Sequence, residues 1–144
     1  MAARYWRGGT GTWDATNTTN WSTTSGGTGG ASVPTSADTV YFNASSGSGI
    51  CTISSAKSVQ GIDFSGCSVT FSNVSNYNLD ASGGNIVLGS TSNITNLYVR
   101  LAPTGSLSTT ISGSATVSRV DLYTTSSTAT ASLGSNVTLS LIHI

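Results

Sequence analysis

Short runs of strict apolar–polar alternation recur along the chain from Thr39 onward. Val40 and Phe42 flank Tyr41, Cys51 and Ile53 flank Thr52, and Ile62 and Phe64 flank Asp63. Cys67, Val69 and Phe71 alternate with Ser68, Thr70 and Ser72, and Leu97, Val99 and Leu101 alternate with Tyr98 and Arg100. Tyr77 with Leu79, Ile86 with Leu88, Val120 with Leu122, and Val137 with Leu139 extend the series. A period of two is that of a strand with one apolar and one polar face. Turn-formers separate the runs, among them Ser46-Gly47-Ser48-Gly49, Ser82-Gly83-Gly84 and Pro103-Thr104-Gly105. Strand centres recur about every ten residues, the spacing of a sandwich, a barrel or a solenoid. Two or three medium aliphatics per run point inward, and the outward positions are mostly Ser and Thr, which stack well on successive coils. The Asn-Gly and Asp-Gly turns of tight hairpins are absent, although an antiparallel sandwich is expected to use some. The expected fold is therefore all-β, a parallel β-solenoid, with a β-sandwich as the alternative.

Composition narrows the chemistry. In 144 residues there are 27 Ser, 23 Thr, 17 Gly and 10 Asn, no Glu, one Lys (Lys57), one His (His143) and a net charge of zero. Such a chain is poor in helix formers and rich in residues that favour turns and strands. Nothing in it neutralises a run of phosphates, so no nucleic-acid partner is expected. A catalyst built on carboxylates or histidine has almost no raw material, and no enzyme activity, cofactor or metal is expected. No apolar run approaches the roughly 18 residues of a membrane span. The opening Met1-Ala-Ala-Arg-Tyr-Trp-Arg-Gly-Gly lacks the apolar core of a secretory signal, which leads us to expect synthesis in a cytoplasm without export by that route. Eleven aromatic residues and 37% hydrophobic content argue for a folded chain, and the length fits one domain.

Residues 1–38 differ from the rest. They hold all three tryptophans, Trp6, Trp13 and Trp21, and little alternation. An open solenoid end exposes apolar side chains and unpaired backbone, so its first coil needs covering. We read 1–38 as an N-terminal cap and 39–138 as the solenoid strands.

The opening also carries a resemblance. Tyr5-Trp6-Arg7-Gly8-Gly9-Thr10-Gly11-Thr12-Trp13, then Asn20-Trp21, Val33-Pro34 and Asp38-Thr39-Val40-Tyr41-Phe42 follow the pattern W-x-G-G-x-G-x-W, N-W, then proline and D-x-V-x-F. This resembles the start of β-solenoid segments in autotransporter-type adhesins. It is more similar still to tail-fibre-like, virion-associated proteins of tailed phages and viral metagenomes. The resemblance spans about the first 45 residues. It implies a structural or host-contacting role in a virion, with other virion proteins or further copies of the chain as partners, a homotrimer among them, and host-surface glycans as a further partner. A bacterial cell-surface adhesin is the alternative location. At the other end, Leu139-Ser140-Leu141-Ile142-His143-Ile144 resembles what the mosaic-end adapter of transposon-based sequencing libraries encodes. Residues 139–144 are accordingly expected to be adapter read-through on a natural chain that continues differently. The opposing reading is a last strand, since Leu139, Leu141 and His143 alternate with Ser140, Ile142 and Ile144.

Candidate sites are few. Tyr5, Trp6, Trp13 and Trp21 are the only aromatic group suited to stacking sugars, and they define a candidate carbohydrate-binding platform. The competing reading is that they pack the cap, because each buried aromatic removes about 150–250 Å² from water and a glycine-rich cap has little else to hold it; at least two are expected to be buried. The five aspartates, Asp14, Asp38, Asp63, Asp80 and Asp121, are isolated in sequence. Turn capping is their expected work, although a solenoid could bring Asp63 and Asp80 within the separation a glycosidase needs. Cys51 and Cys67 are expected to fill small inward positions, a disulfide being the alternative.

Overall fold

The computed structural model describes residues 1–89, 96–103, 108–113, 116–117, 119–123, 130–133, 138–139 and 142–143. Of the adapter-like tail, residues 140, 141 and 144 lie outside the described residues, as does Val137 of the last alternating pair.

The described chain is all-β. In its first half lie β1 (Ala3–Trp6), β2 (Gly11–Trp13), β3 (Trp21–Ser22), β4 (Thr39–Tyr41), β5 (Ile50–Ile53), β6 (Lys57–Val59), β7 (Gly61–Asp63) and β8 (Thr70–Ser72). There follow β9 (Asn78–Ala81), β10 (Ile86–Leu88), β11 (Tyr98–Leu101), β12 (Ser108–Gly113), β13 (Thr116–Val117), β14 (Arg119–Leu122), β15 (Thr130–Leu133), β16 (Thr138–Leu139) and β17 (Ile142–His143). One short 3₁₀ turn, Ala44–Ser46, interrupts them.

The strands form four sheets. The largest runs β15-β12-β10-β7-β4-β1-β3, a second runs β17-β14-β11-β9-β6, a third β2-β5-β8, and β13 pairs β16. Pairing is parallel throughout except for β1 with β3, so the first sheet is mixed. The register is regular. Val40, Ile62, Ile86 and Ile111 are successive Cα partners, 22, 24 and 25 residues apart. Leu79, Val99, Val120 and Ile142 are partners in the second sheet, 20, 21 and 22 apart, and Cys51 faces Phe71 across a step of 20 in the third. The first step is longer, from Arg4 to Val40 and from Gly11 to Cys51, because the chain makes an excursion after Trp13 that contains β3. Residues 1–38 thus share hydrogen-bonded ladders with the strands that follow.

One apolar core serves the three larger sheets. Val40, Phe42, Cys51, Ile53, Ile62, Phe64, Cys67, Val69, Phe71, Leu79, Ile86, Leu88, Leu97, Val99, Leu101 and Val120 are all buried, the inward set that the alternation predicts. Parallel register stacks like upon like. Trp6, Phe42 and Phe64 lie in a column with ring centroids 5.8 and 5.6 Å apart and planes 28° and 20° from parallel. Phe71 meets Phe42 edge-on at 4.9 Å.

Turns are held by short polar side chains. Asn43 caps the 3₁₀ turn, its Oδ1 accepting from Ser45 N at 3.0 Å. The fully buried Ser46 hydroxyl donates to the Trp6 carbonyl at 2.7 Å, fastening this turn to β1. Gly49 lies so close beneath the Gly9-Thr10 peptide that a Cβ on it would stand 2.1 Å from the Gly9 carbonyl carbon. Only glycine permits that crossing.

Candidate functional site

The tryptophans carry two readings in the sequence, a sugar platform and the packing of the N-terminal segment, and the structure buries all three. Trp6, Trp13 and Trp21 have no exposed surface. Trp21 stands edge-on to Trp6 at 5.2 Å and to Trp13 at 5.0 Å, and Phe42 closes the group at 5.8 to 6.1 Å from all three. A sugar stacks only on an open ring face, and these rings spend theirs on each other, so the three are core and not a platform. Their indole N–H groups reach no oxygen or nitrogen acceptor; edge-to-face packing offers a π face instead. Tyr5 alone of the four lies outward. It stacks on Tyr41 at 4.7 Å and 18° and is half-buried.

The aspartates divide into two kinds. Asp14 accepts from Thr16 N at 2.8 Å and Asn17 N at 2.6 Å, and those backbone bonds, Asn17 first, hold its carboxyl below the ordinary range. Asp38 accepts from Thr35 N and Oγ1, both at 3.0 Å, and from Ala2 N at 3.2 Å. Burial would raise the Asp38 carboxyl, but the Thr35 bonds, the Arg4 charge and Ala2 N outweigh it, and it too is lowered. Asp63 accepts from Ser65 N at 2.7 Å. These three do the expected turn capping. The other two do not: Asp80 is ion-paired with Arg100, one strand over, and Asp121 with Arg119 at 2.7 Å. Asp63 and Asp80 stand on different sheets, one capping a turn and the other paired to arginine, and form no catalytic pair.

The ion pairs belong to an outward face that sequence reasoning missed. Along β6, β9, β11 and β14 the register aligns Ser58, Asp80, Arg100 and Asp121, beside Asn78, Tyr98 and Arg119. The Arg100 guanidinium lies 4.8 Å from the Tyr123 ring centre and that of Arg119 5.7 Å from Tyr98. The available signal was the spacing: a step of about 20 residues puts Asp80 opposite Arg100. Hydroxyl stacking, expected over the whole outer surface, is clearest on the third sheet, where Thr12, Thr52 and Ser72 align.

Cys51 and Cys67 are buried and carry thiols rather than a disulfide. Burial pushes both upward, so neither is a thiolate near neutrality.

Lys57 is the second feature missed. It stands at the register position of Leu79, facing inward, and is only 8% exposed. Its Nζ donates to Ser55 Oγ at 2.8 Å. Burial lowers its basicity, and the charge of Asp14 opposes that only partly. A groove of about 270 Å³ opens beside it, lined by Asp14, Val33, Thr35, Ser55, Lys57 and Ser58 among others. A second groove of about 370 Å³ lies elsewhere, between Ile50, Thr70, Val74, Asn96 and Tyr98. Among the described residues no three His, Cys, Asp or Glu side chains gather as a metal site would require.

No family model matches this chain, and no curated protein or solved structure shows significant similarity to it.

Proposed function

We propose that the chain is a structural segment, a parallel β-solenoid that serves as a stiff rod in a virion-associated fibre or appendage. The observation that carries the reading is the repeated parallel register, 20 to 25 residues per step, maintained in two separate sheets around one core. A sandwich accommodates the same strands but does not require a constant step in every sheet. The role is mechanical: successive coils hydrogen-bond along the rod, the aromatic column anchors one end, and a neutral outer surface limits adventitious charge contacts. Partners on this reading are other virion proteins or further copies of the chain, and no catalytic step is needed.

Glycan binding is the second function considered, but the burial of Trp6, Trp13 and Trp21 removes its aromatic platform. An adhesin passenger on a bacterial surface shares the architecture and differs in genetic setting.

Two experiments test the proposal. Thr52 and Ser72 are outward in-register partners on β5 and β8, and neighbouring strands lie about 4.8 Å apart, within disulfide reach. The pair Thr52→Cys with Ser72→Cys is expected to cross-link on mild oxidation in the monomer; a pair offset by two residues is expected to do so poorly. Equal cross-linking of both pairs overturns the register. For the biological role, a long read across the source locus is expected to show capsid, portal or tail genes beside this one. A membrane β-barrel continuing the same frame, with an export signal upstream, would make it an adhesin.

A further inference from the structure

Composition leaves little raw material for catalysts built on carboxylates or histidine, but one nucleophilic pair needs neither. We propose that Ser55 and Lys57 form a serine–lysine dyad that cleaves small carboxylic esters in the groove beside them.

The geometry is that of an activated nucleophile. Ser55 is exposed and Lys57 nearly fully buried, so the hydroxyl is presented to the groove while the amine is held behind it. The Nζ–Oγ separation of 2.8 Å suits proton transfer with the proton on either partner. Lys57 is inward because strand alternation puts it there: in Lys57-Ser58-Val59 the outer positions face the core. A lysine on a core-facing position is costly to charge, and the direction of its shift agrees. The nearby Asp14 carboxylate, which favours the ammonium, already accepts from Thr16 and Asn17. The nearby Cys51 thiol is held neutral by burial. Ser55 and Ala56 lie in the turn between β5 and β6, outside both strands, and both line the groove. A groove of about 270 Å³ with Val33, Pro34 and Ala56 in its wall takes a short acyl group, not a polymer.

In the first step the neutral Lys57 amine takes the Ser55 hydroxyl proton as Oγ attacks the ester carbonyl. Collapse of the tetrahedral intermediate breaks the bond to the alkoxide, which leaves as alcohol with the proton from the Lys57 ammonium. Water then attacks the acyl-serine, again with Lys57 as base, and releases the carboxylic acid with Ser55 restored. The sum is ester plus water to acid plus alcohol.

The test uses the full chain and a fluorophosphonate probe, read by mass spectrometry of the intact protein and its peptides. Labelling is expected at Ser55 alone, once per chain, with a rate that rises through an inflection below the ordinary lysine value of 10.5. Lys57→Met is expected to slow it about 100-fold, the scale of a lost general base, and Lys57→Arg, whose guanidinium stays protonated and so cannot accept the proton, to do the same. Hydrolysis of p-nitrophenyl acetate is expected to follow the same order. No labelling of the wild-type chain, labelling spread over many serines, or a rate that follows hydroxide without inflection overturns the dyad; these readouts need no variant to fold. Equal labelling in a folded Lys57→Met also overturns it. None of these outcomes bears on the rod proposal, which the cross-link and the locus test separately.

Discussion

Trp21 shows how much of the N-terminal segment rests on single side chains. It has no exposed surface and touches Trp6, Trp13 and Phe42, so Trp21→Ala leaves a hole bounded by rings that cannot close it. The expected cost is about 3–5 kcal/mol, read as a lower urea midpoint at unchanged slope. A loss under about 1 kcal/mol would mean the indole is not packed as described. Asp38 makes a different prediction. Its carboxyl titrates below its ordinary 3.8 when folded, so it binds its proton less readily in the native state. Its contribution is therefore full above the unfolded value, and is lost as pH falls through the lower, folded one. Asp38→Asn is expected to destabilise at pH 7, and the difference from wild type to shrink below about pH 3.8; a difference constant down to pH 2 would contradict it. Legibility at this scale is uneven. The inward aliphatics and Phe residues were readable because alternation alone decides them, and the burial of the tryptophans followed from their bulk in a glycine-rich segment. Lys57 was missed because a lysine in a strand is ordinarily taken as the outward residue, although Val59 two residues on, on the same face, was the cue that it points inward.

Among elements, parallel register decides which outward residues meet. Asp80 and Arg100 are 20 residues apart in sequence and direct partners across β9 and β11. Both are partly exposed, so the pair is worth little despite two hydrogen bonds. A double-mutant cycle with Asp80→Asn and Arg100→Gln is expected to give a coupling of about 0.2–1 kcal/mol, smaller at 1 M salt, where the screening length is about 3 Å. Coupling above about 2 kcal/mol, or insensitive to salt, would mean a buried pair. Many strands were legible from Thr39 onward, since Val40-Tyr41-Phe42 and Thr70-Phe71-Ser72 carry the period in their own letters, but β6 (Lys57-Ser58-Val59) and β13 were not. Nor were strands β1 to β3. Ala3-Arg4-Tyr5-Trp6 places Arg4 in register with Val40, and its guanidinium reaches Ser32 in the excursion, donating from Nη2 to Ser32 Oγ at 2.8 Å. Local pattern cannot show a position whose polarity is satisfied from 28 residues away.

At the scale of the whole molecule, the core is not uniform along the chain. Among the described residues, the six largest buried side chains, Trp6, Trp13, Trp21, Phe42, Phe64 and Phe71, all precede residue 72, and the buried apolar positions from Leu79 to Val120 are aliphatic or alanine. Aromatics bury about 150–250 Å² each and gain a further 0.5–1.5 kcal/mol per ring pair. In a rod whose repeats touch only their neighbours, stability is approximately a sum of local terms and is free to vary along the axis. A sandwich with a core shared across two faces unfolds more nearly as one unit. The two architectures therefore differ in hydrogen exchange. On the solenoid reading, amides of β4, β5 and β7 are expected to be the most protected, and those of β11 and β14 to open at lower free energy. The Cys51 and Cys67 thiols, both in the aromatic half, are expected to react with a disulfide reagent as slowly as the most protected amides exchange. Uniform protection across β4 to β14, or thiols that react as fast as the β14 amides exchange, would favour the sandwich. A gradient would make β1 to β8 the anchored end, with β9 to β14 added coil by coil upon it.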